Sequence, residues 1–370
     1  MVSVERKHRI REWMPDWHLR TAALKDGGCE SFCMIVEGTI LRGRSFSPIE
    51  GQIVIEDGTI STIEERPVES DSIVLPTFVN AHTHIGDSIA KEAGAGLSLE
   101  ELVAPPDGLK HRLLRTAPRQ HLIDAMRRTL RFMEATGTGV FLDFREGGEA
   151  GVTALQEAAD GMDIEAIILG RDELEAIERG DGCGASGAAD GEFSAERRKA
   201  RESGKLFGIH AGEVDPADIN PALDLEPDFL VHAVTAQDVH LERIADSGVP
   251  VVVCPRSNAE TGVGEPPIEA LAERTTVALG TDNVMISNPS MFREMAFVDA
   301  MTDLEPATIL GMATWAGAEI AGLEGGVIAE GRPGSVLVLD GASDNLADTH
   351  DVVRAVVRRA GAVDVEAVIR

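Results

Sequence analysis

The sequence predicts an α/β protein: a (β/α)8 TIM barrel with a small β-sandwich built from both chain ends. Three observations predict it. Eight short apolar runs alternate with helix-patterned segments through the middle of the chain. Strand-and-turn patterns occupy both ends. Histidines and acids collect where the apolar runs stop, and in such a barrel that is the face where active sites lie.

Residues 1–33 stand apart in composition. They hold six basic and five acidic residues and two of the three tryptophans, Trp13 and Trp17. Met34 then opens a clean strand pattern, Met34-Ile35-Val36-Glu37-Gly38-Thr39-Ile40. The expectation is that 1–33 is an extension ahead of a natural start at Met34, with a functional N-terminal arm as the rival. Short strands and turns follow to about residue 65, including Gln52-Ile53-Val54-Ile55 and the turn Glu56-Asp57-Gly58. At the other end, Val336-Leu337-Val338-Leu339 follows the breaker Gly331-Arg332-Pro333-Gly334, and two β-rich pieces lie near 352–357 and 362–369. Residues 34–70 and 325–370 are therefore assigned to the β-sandwich and 71–324 to the barrel.

The apolar runs are 73–79, 139–144, 166–169, 182–186, 206–209, 229–231, 249–253 and 277–279. Helical patterns such as 120–135, 152–159, 194–202 and 236–246 separate most of them. The fourth run is glycine-rich and weak as a strand. A doubly wound sheet is the runner-up architecture.

Charge and composition narrow the function classes. The 370 residues carry 34 Lys+Arg against 63 Asp+Glu, a net charge of −29. A field this negative argues against nucleic acid or anionic lipid as a partner. No apolar run reaches membrane-spanning length, and the N-terminus lacks a signal-peptide stretch, so a cytoplasmic protein is expected. Four scattered cysteines, Cys29, Cys33, Cys183 and Cys254, do not make a disulfide framework. Only six of the bases are lysines, and tyrosine is absent. An acid-rich, lysine-poor surface suits concentrated salt, where screening removes self-repulsion, so a halophilic source is expected.

The first run ends in His82-Thr83-His84. Residues two apart on a strand share a face, so both imidazoles can project inward. The fifth run ends in His210-Ala211-Gly212-Glu213, the sixth in Val231-His232 and the eighth in Gly280-Thr281-Asp282-Asn283. Three histidines and an aspartate from three strands could surround one divalent ion, zinc, iron or another first-row metal. Glu213 and His232 are spare groups beside that set, which favours a catalytic site over a structural one. A chance histidine pair on a polar face is the bland reading of His82 and His84 alone.

In this order and on these strands, the motifs resemble the amidohydrolase superfamily, specifically its adenosine/cytosine/guanine deaminase-like (chlorohydrolase-type) branch. Cys254-Pro255-Arg256-Ser257-Asn258 and the helix ending Met312-Ala313-Thr314-Trp315-Ala316-Gly317-Ala318 add to the likeness, which runs from about Met34 to the C-terminus. The resemblance implies that His82, His84, His210 and Asp282 hold the metal. It implies that Glu213 shuttles a proton to a ring nitrogen and that His232 orients the attacking hydroxide. Two-metal relatives use a lysine on the fourth strand; none stands there, so one metal ion, zinc first and iron second, is expected.

The implied reaction is hydrolytic deamination of an amino-substituted N-heterocycle such as a nucleobase or nucleoside, with release of ammonia. Hydrolysis of a cyclic amide, as in imidazolonepropionase-like relatives, is the alternative, and a catalytically silent scaffold a third reading. The expected partner is a small heterocyclic substrate, with a homo-oligomer left open. Asn283, Arg145 and Arg256 are candidate substrate contacts, and Asp87, Glu146 and Arg171 lie near strand ends as well. Each could equally serve a structural ion pair. Asn283 stands where adenosine deaminase has a second aspartate, which argues against adenosine itself. Cys254 reads as a buried structural thiol. His111, His121 and His240 read as surface residues.

Overall fold

The computed structural model describes residues 20–24, 31–103 and 107–370. Most of the 1–33 segment, with Trp13, Trp17 and Cys29, therefore lies outside the described residues.

Two sheets organise the chain. The first holds β1 (Arg20–Leu24), β2 (Ser31–Arg42), β3 (Ser47–Glu56), β4 (Thr59–Glu65) and β5 (Ile73–Pro76), joined by β15 (Val336–Leu339) and β16 (Val365–Ile369) from the C-terminus. Its order is β16-β15-β5-β2-β3-β4, with β1 antiparallel to β2. Both chain ends thus meet in one hydrogen-bonded sheet. Val36, Ile53, Ile60, Val74, Val338 and Ile369, from six of its strands, share a single core. Strand β2 starts at Ser31, ahead of Met34, and part of the expected extension pairs with it.

The second sheet is the barrel: β6 (Phe78–His84), β7 (Thr138–Arg145), β8 (Glu165–Gly170), β9 (Gly182–Gly187), β10 (Leu206–Ala211), β11 (Phe229–His232), β12 (Val251–Val253), β13 (Val277–Leu279) and β14 (Asp282–Asn283). Every neighbouring pair is parallel. Strands β13 and β14 are one eighth strand that changes partner. Its first half pairs with β12 and its second half with β6, through Asp282 opposite Thr83 and Asn283 opposite His84. That change of partner closes the barrel and brings Asp282 beside the histidines.

Three expectations are corrected. The run 73–79 is two strands. Ile73–Pro76 belongs to the end sheet, and the backbone changes sheets at Thr77, whose N–H goes to Ser335 O while that of Phe78 goes to Gly137 O. Pro76 offers no N–H to continue a ladder, so the break falls there. The piece near 352–357 is a helix, Val352–Arg358. Asp351 caps it by accepting from Arg354 N at 2.9 Å, and Ala355, Val356 and Val357 are buried, so capping and packing override β-propensity. His240 is buried rather than solvated; its Nδ1 accepts from Gln237 N at 3.1 Å.

The weak fourth run is a strand after all, for a steric reason. A Cβ at Gly184 would come within 2.4 Å of the Phe144 ring, and one at Gly208 within 2.3 Å of the Phe229 ring. Glycines on β9 and β10 make room for two phenylalanines that fill the barrel. The Phe144 ring in turn meets His82 and His210 edge-on, with centroids 4.6 and 4.9 Å away. The core therefore forms the floor of the site.

Candidate active site

His82 and His84 end β6, and both are buried. His210 sits near the end of β10, His232 ends β11, and Asp282 begins β14. Two of these residues hold positive φ angles, His232 at 80° and Asp282 at 56°. Non-glycine residues adopt that conformation at a cost of roughly 1–3 kcal/mol, which persists only where the surroundings enforce it.

The donor atoms converge. His82 Nε2 lies 3.3 Å from Asp282 Oδ1 and 3.3 Å from His210 Nε2, and His84 Nε2 lies 3.5 Å from the same Asp282 oxygen. A tetrahedral ion with bonds of about 2.0–2.1 Å has ligand edges of about 3.3–3.4 Å. The ring tautomers agree. Nδ1 of His210 faces Ala185 O at 2.9 Å, and Nδ1 of His84 faces Phe144 O at 3.1 Å and Glu146 Oε1 at 2.9 Å. All three partners only accept, so each Nδ1 carries the proton and each Nε2 is bare. Burial lowers all three metal-facing imidazoles, His84 to about 3, so they are neutral. Bare Nε2 atoms on His84 and His210, gathered with His82 Nε2 around the Asp282 carboxylate, are the nitrogen and oxygen donor set that a divalent cation takes. The residues therefore fit a divalent ion: His82, His84 and Asp282 form one possible ligand group, His210 joins His82 and His232 in a second, and Glu213, His232 and Asp282 form a third.

Around this set lie two further titratable side chains, Glu213 and His232. Glu213 Oε2 is 3.7 Å from His232 Nε2. Burial, with the Asp282 charge adding to it, raises the Glu213 carboxyl above its ordinary range. Asn258 Nδ2 donates to His232 Nδ1 at 3.2 Å, which leaves the His232 proton on Nε2, the nitrogen facing Glu213. Ser257 Oγ donates to Asp282 Oδ2 at 2.5 Å. Sequence reasoning quoted Ser257 and Asn258 as part of a motif and gave them no role. Their place on the helix Pro255–Thr261, directly after β12, supplies it.

The three candidate substrate contacts have other partners. Arg145 is 1% exposed, and its guanidinium pairs with Glu146 at 3.0 Å and Asp143 at 3.7 Å. It lies so close to Gly86 that a Cβ there would meet it at 2.0 Å. Arg256 pairs with Glu294 at 3.3 Å and reaches Ser290 O and Asn288 O. Asn283 is buried and accepts from Met285 N at 2.9 Å. Ion pairing and backbone support thus occupy all three. Cys254 is buried and free, as expected of a structural thiol.

The sequence model of the Amidohydrolase family matches residues 73–369, which takes in the barrel and every residue of this site. The chain belongs to the amidohydrolase family. It is a hydrolase acting on carbon–nitrogen bonds other than peptide bonds. A protein of Methanothermobacter thermautotrophicus, provisionally named an aminohydrolase, is 36% identical over 83% of this chain and 91% of its own. A 5-methylthioadenosine/S-adenosylhomocysteine deaminase of Halobacterium salinarum is 24% identical over 89% of each chain. Among solved structures, an adenosine deaminase from Xanthomonas campestris with bound zinc shares the fold. Its TM-score is 0.73 at 18% identity, covering 90% of this amidohydrolase and 91% of that chain. Among the described residues, no helix of this amidohydrolase is long and apolar enough to cross a membrane.

Proposed function

We propose that this amidohydrolase is a metal-dependent aminohydrolase that deaminates an amino-substituted N-heterocycle, such as a nucleobase or nucleoside. One observation carries the reading: a carboxyl held toward its protonated form, Glu213, stands beside overlapping histidine and aspartate ligand groups at the barrel mouth. Deamination of a ring amine needs that arrangement, because the ring carbon accepts water readily only once its neighbouring nitrogen is protonated.

His82, His84, His210 and Asp282 would hold the ion. When bound, a divalent ion supplies the Lewis acidity that lets water act as a nucleophile near neutral pH. The protein's own groups do the rest. Glu213 gives its proton to the ring nitrogen, then carries a proton to the departing amine, which leaves as ammonia. His232 presents Nε2–H as a donor to the incoming oxygen, since Asn258 occupies Nδ1. Asp282 accepts a proton on Oδ2, the oxygen that Ser257 also steadies. The deaminase names of the relatives support the reaction class.

The test is an ammonia-release screen of purines, pyrimidines, their nucleosides and pterins with zinc-loaded protein in high salt. Turnover with ammonia release supports the reading. Ring opening of a cyclic amide without ammonia would replace it with the imidazolonepropionase-like alternative.

A further inference from the structure

We propose that Lys110 is a positioning residue for the metal centre: with Arg145 and Arg171 its ammonium holds the Glu146 carboxylate on the Nδ1 side of His84, where it reinforces the Phe144 carbonyl in committing His84 to presenting Nε2. The inference rests on the metal-site reading above.

Lys110 is 3% exposed, the one buried lysine among the described residues. A buried ammonium is costly unless paired, so its partners matter. Nζ lies 2.7 Å from Glu146 Oε1 and 3.0 Å from Asp87 Oδ2. The same Glu146 oxygen lies 2.9 Å from His84 Nδ1 and 3.1 Å from Arg171 Nη1, and its other oxygen takes Arg145 Nη2 at 3.0 Å. Glu146 is thus a hub on which three cations and one ligand imidazole converge. Arg145 and Arg171 leave from strand ends on the barrel wall. Lys110 arrives from a separate helix, Leu109–Thr116, in the long connection between β6 and β7. It alone spans Glu146 and Asp87, and Asp87 sits three residues beyond the ligand itself, in the turn Ile85–Ile89.

A second consequence follows. The ion pairs of Lys110 dock its helix onto the turn that carries the ligand strand onward. Metal binding and helix docking are then linked, and the coupling is reciprocal. Carboxylate partners of ligand histidines typically change metal affinity 10–100-fold when lost.

Zinc affinity, measured by competition with a chromophoric chelator, tests the idea. Wild type sets the baseline, and failure to bind zinc stoichiometrically would remove the metal-site reading itself. Lys110→Met should weaken zinc binding 10–100-fold while circular dichroism stays unchanged. Because that variant leaves the buried Asp87 carboxylate without its ion pair, Lys110→Met with Asp87→Asn removes the pair together and should weaken zinc binding similarly. Glu146→Gln should weaken it too, and adding Lys110→Met to Glu146→Gln should cost little more, since both act through one contact. Zinc should slow amide exchange in Leu109–Thr116 of wild type and not of the Lys110→Met, Asp87→Asn variant. Zinc affinity within twofold of wild type in both Lys110 variants would overturn the proposal, leaving Lys110 a structural counter-ion.

Discussion

Glu213 and His232 face each other at 3.7 Å, and their roles are separated by what lies behind them. In the proposed reaction Glu213 is the proton carrier, because burial favours its neutral form. Glu213→Gln should keep zinc stoichiometry, read by elemental analysis, and lower kcat by about 10²–10⁴-fold, the usual worth of a positioned general acid–base. Retained turnover would remove Glu213 from the chemistry. His232 presents Nε2–H in that reaction because the Asn258 amide turns its Nδ2–H toward Nδ1. Asn258→Asp reverses that demand, so ring 15N shifts should report a proton moved to Nδ1 and kcat should fall ~10²-fold or more, as wrong-tautomer variants do. An unchanged His232 spectrum would show that Asn258 does not select the tautomer. His82, His84, His210, Asp282 and Glu213 were legible in the sequence because strand spacing and strand-end position are local properties. Lys110 was not. It lies 26 residues beyond His84 on a short helix that no local pattern ties to the strand ends, and only folding places it on Glu146.

At the scale of elements, the barrel was legible wherever apolar runs and helical patterns alternate, and obscure where packing outvotes composition. Strand β9 hid behind its glycines, which exist to admit Phe144. The helix Val352–Arg358 hid behind four valines, and the cap from Asp351 decides it. Asp351→Ala should therefore cost about 1 kcal/mol in urea denaturation. Gly208→Ala should cost more, about 1–3 kcal/mol, by driving a methyl into the Phe229 ring. The helix Met291–Met301 carries a pH signature. Glu294 on it is fully buried and accepts from Arg256 N at 3.0 Å. Burial, only partly offset by the Arg256 guanidinium beside it, raises its carboxyl to about 7, against 4.5 ordinarily. The folded state then holds a proton that the unfolded chain has released, so this group's contribution to stability is complete below about pH 4.5 and is lost as pH rises through 7. Its full size is on the order of 3 kcal/mol. Glu294→Gln should flatten that decline in a stability–pH profile, and an unchanged slope would assign it to other groups.

Across the whole molecule the excess of acids sets the behaviour. With 63 acids against 34 bases, 29 acids are in excess of the bases available to pair with them, so like-charge repulsion outweighs the exposed pairs such as Arg119–Glu157 and Arg44–Glu319. Salt acts on both. It weakens exposed ion pairs, each worth at most about 1 kcal/mol, and it relieves repulsion summed over the whole surface as the Debye length shrinks from about 10 Å at 0.1 M to about 3 Å at 1 M. The buried centre is a different case. Lys110, Arg145, Asp87, Asp143 and Glu146 are shielded from solvent, so their pairing responds little to ionic strength. Moving from 0.1 M to molar KCl should therefore raise Tm by about 5 °C or more while zinc affinity stays nearly constant. Equal gains in NaCl and KCl would identify screening as the cause. Full stability in dilute buffer, with no gain in molar salt, would show that the surface acids are spaced widely enough to coexist unscreened and would end the reading of a protein adapted to concentrated salt.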